Sequence, residues 1–197
     1  QTFTTVGYGH ISPNGFLTSA LATTEALIGL LSFAIATGLF FGRFSKPTAF
    51  LKFSHHALSA PYGDGGTALM LRMTPYKNTN FTDAEAKVTL GMIIEEQGQK
   101  VNKFYTLDLE LSKINSLTLS WTLVHPVTAE SPLAGLSHEE LIQRRAEIIV
   151  ILKGIDEGYM QQVIARHSFR YDEMVWGGRF QRPFSARNGT MHLDLAK

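Results

Sequence analysis

Thr5-Val6-Gly7-Tyr8-Gly9, followed after a short polar stretch by the apolar segment from Phe16 to Gly42, decides how this chain is read. Glycines at alternate positions mark a backbone that must take angles which residues with a Cβ resist. Such a loop can turn successive carbonyls to one side, with Val6 and Tyr8 packing behind it. A Gly-Tyr-Gly turn between two hydrophobic elements is the plainer reading; the Thr-Val ahead and the long segment behind argue against it. Residues 26 to 42 carry no charge, and extension back to Phe16 adds only Glu25. The run of about 27 residues exceeds the roughly 20 that cross hydrocarbon as a helix.

No basic region precedes this segment, so it does not have the pattern of a secretory leader. Arg43, Lys46 and Lys52 follow it, and by the positive-inside tendency they put the C-terminal portion in the cytoplasm. The 197 residues carry a net charge of +1, too balanced to suggest a nucleic-acid partner. The absence of cysteine excludes disulfides and thiolate metal sites. Seven histidines are present, yet none falls in a His-Glu-x-x-His pattern or beside a nucleophile and acid, so no enzyme is expected.

Beyond Pro47 the sequence changes to short runs of β-branched and aromatic residues. Expected strands are Thr67 to Met73, Ala86 to Ile94, Lys103 to Leu109, Leu117 to Leu123, Glu147 to Gly154, Gln161 to Phe169 and Met191 to Leu195. Gly63-Asp64-Gly65-Gly66 and Arg187-Asn188-Gly189 read as turns. A helix is expected from about His138 to Arg145, with Ser137 as N-cap and Glu140 completing a capping box. The chain thus divides into a membrane unit, residues 1–46, and an all-β unit, residues 47–197, expected to be an antiparallel, immunoglobulin-like β-sandwich.

The order of these elements resembles the inward-rectifier potassium channels, and within them the bacterial branch. The residues that carry the likeness are Thr5 to Gly9, which match the known potassium-filter signature and are recognised rather than deduced, then Ala36 to Pro47, Lys52 to Ala57 and Leu69 to Arg72. It continues through Leu119 to His125, Ser131 to Leu136, Ala165 to Phe169 and Trp176 to Phe180. Eukaryotic members carry cysteines flanking the filter; their absence here favours a bacterial origin. Two places depart from the family pattern: His10 stands where bacterial relatives usually carry an acid, and Met73-Thr74-Pro75-Tyr76-Lys77 replaces an asparagine-containing stretch.

The resemblance implies a potassium-selective, passively conducting homotetramer in the bacterial inner membrane, multi-pass, with its C-terminal domain in the cytoplasm. A pore of the two-helix type implies a further helix ahead of the filter, so the chain is expected to be a fragment. Thr5, Val6, Gly7 and Tyr8 would hold K+, with Gly9 closing the filter and Glu25 supporting it from behind. Phe33, Thr37 and Phe41 fall four apart on one helical stripe; in the family that stripe lines the pore, with Phe41 at the inner gate. Phe33 stands where strong rectifiers carry an acid, which implies weak rectification by the blockers Mg2+ and polyamines; Ba2+ is a further expected blocker. Gly154, Ile155, Asp156, Glu157, Gly158 and Met160 correspond to a cytoplasmic girdle around the axis. Arg43, Lys46 and Lys52 are candidates for anionic lipid headgroups. A membrane-anchored β-sandwich that binds a partner without conducting is the alternative reading of the same elements.

Overall fold

The computed structural model describes residues 1–193 except 64, 78, 182–183 and 188–189, and beyond Gln181 it describes backbone pairing only. The chain separates into two compact units, Gln1–Lys46 and Pro47–Lys197. Asp64, Asn188 and Gly189 of the two expected turns, and Asp194-Leu195 at the end of the last expected strand, fall outside the described residues.

In the first unit a single helix, α1 (Phe16–Phe44), follows an irregular N-terminal segment. Its 29 residues make a rod about 43 Å long, enough to cross a bilayer. A helix satisfies its backbone within the segment, the requirement that hydrocarbon imposes. Among its residues only Gly29 is buried within the chain. At its end the N–H and hydroxyl of Ser45 both donate to the Phe41 carbonyl, at 2.9 and 2.5 Å, and Pro47 has no N–H with which to continue.

The second unit contains β1 (Leu51–Phe53), β2 (Ala57–Tyr62), β3 (Gly66–Pro75), β4 (Phe81–Glu96), β5 (Gln99–Leu107), β6 (Lys113–Leu117) and β7 (Trp121–Pro126). There follow α2 (His138–Gln143), β8 (Glu147–Asp156), β9 (Gln161–Arg170), a 3-10 turn at Tyr171–Glu173, β10 (Met174–Trp176), β11 (Phe184–Arg187) and β12 (Thr190–Leu193). One sheet runs β1-β3-β2-β10, with β7 also paired to β3; the other runs β5-β4-β8-β9, with β6 also paired to β4. The β11–β12 hairpin stands apart.

Strict alternation makes β8 a strand that buries every second side chain. Ile148, Val150 and Leu152 join Ala86, Val88 and Leu90 of β4 in one cluster with Leu69, Leu71 and Met73 of β3 and Leu123 of β7. Two sheets facing across a shared core make a β-sandwich. The expected capping box forms at the start of α2: Ser137 Oγ accepts the Glu140 N–H at 3.2 Å and Glu140 accepts the Ser137 N–H at 2.8 Å.

The expected antiparallel pattern has one exception, since β10 pairs parallel with β2. The strand expected from Leu117 to Leu123 is broken into β6 and β7, which lie in different sheets. The link between them bends where the Leu119 carbonyl accepts a 2.8 Å bond from Thr74 Oγ1.

His125 of β7 is buried and saturated, with Nδ1 2.6 Å from the Asp108 carbonyl and Nε2 2.8 Å from Ser131 Oγ. His167 of β9 has a different setting. It stacks on Phe53 of β1 at 4.8 Å and meets the edge of Phe169 at 4.6 Å, joining the two sheets through aromatic faces. Burial there lowers its pKa from the ordinary value, opposed by the charge of Glu173. The folded protein therefore disfavours the imidazolium, and the unfolded chain binds the proton first. Stability from this site is complete above the unfolded pKa of about 6.5 and is lost as pH falls below it. Melting of the wild-type protein should occur at lower temperature at mildly acidic pH than at neutral pH. His167→Phe, which keeps a ring in the stack, should flatten that slope; an unchanged slope would place the responsible proton elsewhere.

Candidate functional site

The loop ahead of α1 is closed at its base by two backbone bonds, from the Thr5 N–H to the Thr2 carbonyl and from the Val6 N–H to the Gln1 carbonyl, both 3.1 Å. Thr5, Gly7 and Gly9 then take positive φ of 59°, 53° and 81°, while Val6 and Tyr8 do not. Left-handed residues alternating with ordinary ones turn successive peptide groups the same way. No atom lies within 4 Å of a Cβ built on Gly7 or Gly9. Their backbone angle, not crowding within the chain, is what calls for glycine. Thr5 is β-branched and holds the same region at a cost of about 1–2 kcal/mol, a strain of the kind that concentrates at functional sites.

Gly29 fixes the approach to this loop. A Cβ there would lie 2.0 Å from the Phe3 carbonyl oxygen, so backbone rests directly on the helix two residues before Thr5. A glycine in a spanning helix signals such an approach only weakly, and nothing in the sequence named Phe3 as its partner. Gly38 has no such neighbour. Glu25 is exposed, and among the described residues it has no hydrogen-bond or ion-pair partner within the chain.

Phe33 and Phe41 stand 76% and 74% exposed on the stripe they share with Thr37. The Thr37 hydroxyl is turned inward onto the Phe33 carbonyl at 2.9 Å, which leaves its methyl on the helix surface. Arg43 lies in the last turn, where a cation complements the helix dipole, and Lys46 is exposed just past it. In the second unit Lys52 is exposed on β1, its ammonium 5.4 Å from the centre of the Tyr76 ring.

Gly154, Ile155 and Asp156 end β8, and Glu157, Gly158 and Met160 belong to the turn that leads to β9. Asp156 is 4% exposed, and its Oδ1 accepts the N–H groups of Gly158 and Tyr159 at 2.9 and 3.0 Å. Its carboxylate is therefore engaged in shaping the turn. Glu157 is the exposed acid; its carboxylate accepts a 3.3 Å bond from Asn80 Nδ2, and its N–H donates to the Asn80 carbonyl at 3.2 Å. Met160, with φ of +50° and 78% exposed, is the most prominent apolar side chain of the turn.

The family described as inward rectifier potassium channel C-terminal domain matches residues 51–197, and the ion channel family matches residues 1–46. The inward rectifier potassium channel Kirbac3.1 of Paramagnetospirillum magnetotacticum is 35% identical over all of this chain and 67% of its own length. The human G protein-activated inward rectifier potassium channel 3 is 30% identical over all of this chain and 52% of its own. The chain thus spans about two thirds of the first relative and about half of the second. A solved structure of the sporulation control protein Spo0M from Bacillus subtilis aligns at a TM-score of 0.32 and 8% identity, over 68% of this chain and 51% of that one, too low to inform the fold.

The turn after β8 makes a local prediction. Asp156→Ala should raise amide exchange at Gly158 and Tyr159, whose acceptor it removes, whereas Asp156→Asn, which keeps an oxygen, should change it little. Equal protection in both variants would show that the carboxylate does not hold the turn.

Proposed function

The chain belongs to the inward rectifier potassium channel family, and from that premise we propose that it supplies the filter, inner helix and cytoplasmic domain of a homotetrameric potassium pore. The observation that carries the proposal is the alternation of φ at Thr5, Gly7 and Gly9. Four such loops around an axis offer rings of carbonyls from Thr5, Val6, Gly7 and Tyr8 that replace the hydration shell of K+. Conduction is passive, so no group needs to move a proton or form a bond.

In this reading α1 is one span of a multi-pass protein of the bacterial inner membrane, with Phe33, Thr37 and Phe41 facing the axis. Rings of Phe41 close the inner end by excluding water. With a phenylalanine at 33 in place of an acid, Mg2+ and polyamines find no strong site there, and rectification is weak. Glu25 becomes affordable in hydrocarbon only with a partner or water, which a neighbouring subunit's filter region supplies. The turn from Gly154 to Met160 forms the cytoplasmic constriction, where Glu157 contributes the carboxylate ring that concentrates cations. Arg43, Lys46 and Lys52 meet anionic headgroups, each worth roughly 1 kcal/mol near the surface.

The test is rubidium uptake into liposomes containing the full-length channel. Uptake should be blocked by Ba2+ and resist sodium competition, and Gly7→Ala should abolish it by straining the filter. Gly29→Ala should also impair it severely, because the added methyl displaces Phe3, while Gly38→Ala should retain most of it. Phe41→Ala should raise basal uptake. Uptake indifferent to Gly7→Ala would overturn the filter assignment, and absence of uptake in every lipid mixture would favour a non-conducting anchored domain.

A further inference from the structure

α2 ends in a backbone conformation that glycine normally supplies. Arg145 has φ of +48°. Its N–H donates to the Ile142 carbonyl at 3.0 Å and that of Ala146 to the Leu141 carbonyl at 2.9 Å, the paired bonds of a Schellman stop. Glycine or asparagine is usual at this position because a Cβ opposes left-handed backbone. An arginine here is kept against the preference of the fold, a pattern concentrated at ligand clamps.

Arg145 also lines two clefts, one of about 820 Å³ shared with Lys100, Tyr105 and Arg144, the other of about 370 Å³ shared with Arg170. The larger sets three cations against one carboxylate, Glu95, and the smaller sets Arg145 and Arg170 against Glu147. Arg144 is engaged by Glu140 at 3.6 Å, and Arg170 by Asp172 at 2.8 Å. Among the described residues, Lys100 and Arg145 have no such carboxylate partner. The floor is fixed, since the Ile93 N–H of β4 donates to the Arg144 carbonyl at 2.8 Å. Tyr105 adds a half-buried aromatic wall.

We propose that these two clefts, which share Arg145, bind a multiply charged phosphate group, a diphosphate or polyphosphate ester. The planar fork of Arg145 suits paired phosphate oxygens, Lys100 supplies a second, mobile cation, and the Tyr105 ring flanks the ester. The site lies wholly in the sandwich unit, so its occupancy can be measured independently of conduction.

Calorimetric titration of the full-length protein with inorganic pyrophosphate should give saturable binding that weakens with added salt. Arg145→Gly should reduce affinity roughly tenfold, the scale of one lost charge-assisted hydrogen bond, while raising the melting midpoint by roughly 2–4 °C through relief of the backbone. Lys100→Met should also weaken binding and leave melting unchanged. Vesicles of phosphatidylcholine and phosphatidic acid added in competition separate the two sources of phosphate: displacement of pyrophosphate that depends on Arg145 assigns a lipid headgroup, and its absence assigns a soluble ester. Failure of the wild-type protein to bind pyrophosphate, or full affinity in Arg145→Gly, would overturn the proposal.

Discussion

A long apolar helix that buries nothing but one glycine within its own chain places a demand that the rest of this molecule must meet. Hydrocarbon can cover the side chains of α1, but it cannot satisfy stray peptide groups. Irregular backbone is tolerated at such depth only where protein or a water-filled path receives it. The loop from Thr5 to Gly9 is backbone of that kind, and the carbonyl of Phe3 lies close against Gly29. The missing methyl at Gly29 thus sets how near the loop's base approaches the helix. In the pore we propose, the carbonyls beyond it receive a dehydrated cation.

The sandwich is organised differently, around one strand. β4 pairs with β6 and β8 over its first part and with β5 over its second, and its inward residues lie at the centre of the core. A register shift between Thr82 and Glu85 lets it serve these partners despite the left-handed φ of 48° at Asp83. On the opposite sheet β3 does the same for β1, β2 and β7. Short strands such as β1 and β10 persist because they attach to these longer ones.

That dependence explains what the sequence could disclose. Runs of β-branched and aromatic residues made β8 and β9 visible, and Ser137 with Glu140 announced the start of α2. By contrast β1 and β10, three residues each, have no period of their own and exist by pairing. The β4–β5 hairpin was obscured because its two-residue turn uses Gln97 with Gly98, at φ of 53° and 78°, where asparagine or aspartate is the usual signal. The filter string was legible because few residues tolerate its angles, whereas the Phe3 contact and the engagement of Asp156 required coordinates. Arg145 was hidden for the opposite reason: its residue type contradicts the conformation it occupies.

The sharing of β4 also has a temporal side. Its second part can zip with β5 as soon as the Gln97-Gly98 turn forms, a local event on the microsecond scale. Its first part must wait for β8, since Ala86 pairs with Leu152 and Val88 with Val150, across the intervening β5, β6, β7 and α2. During synthesis at about 5–20 residues per second, that half of the strand is an alternating, apolar edge for several seconds. An unpaired edge of this composition is a template for other nascent chains. When several copies are made side by side at a membrane, the interval before β8 emerges is when strands from neighbouring chains compete for the same edge, and β6 does not relieve it, because it pairs with Phe81 to Glu85 along the opposite edge of β4.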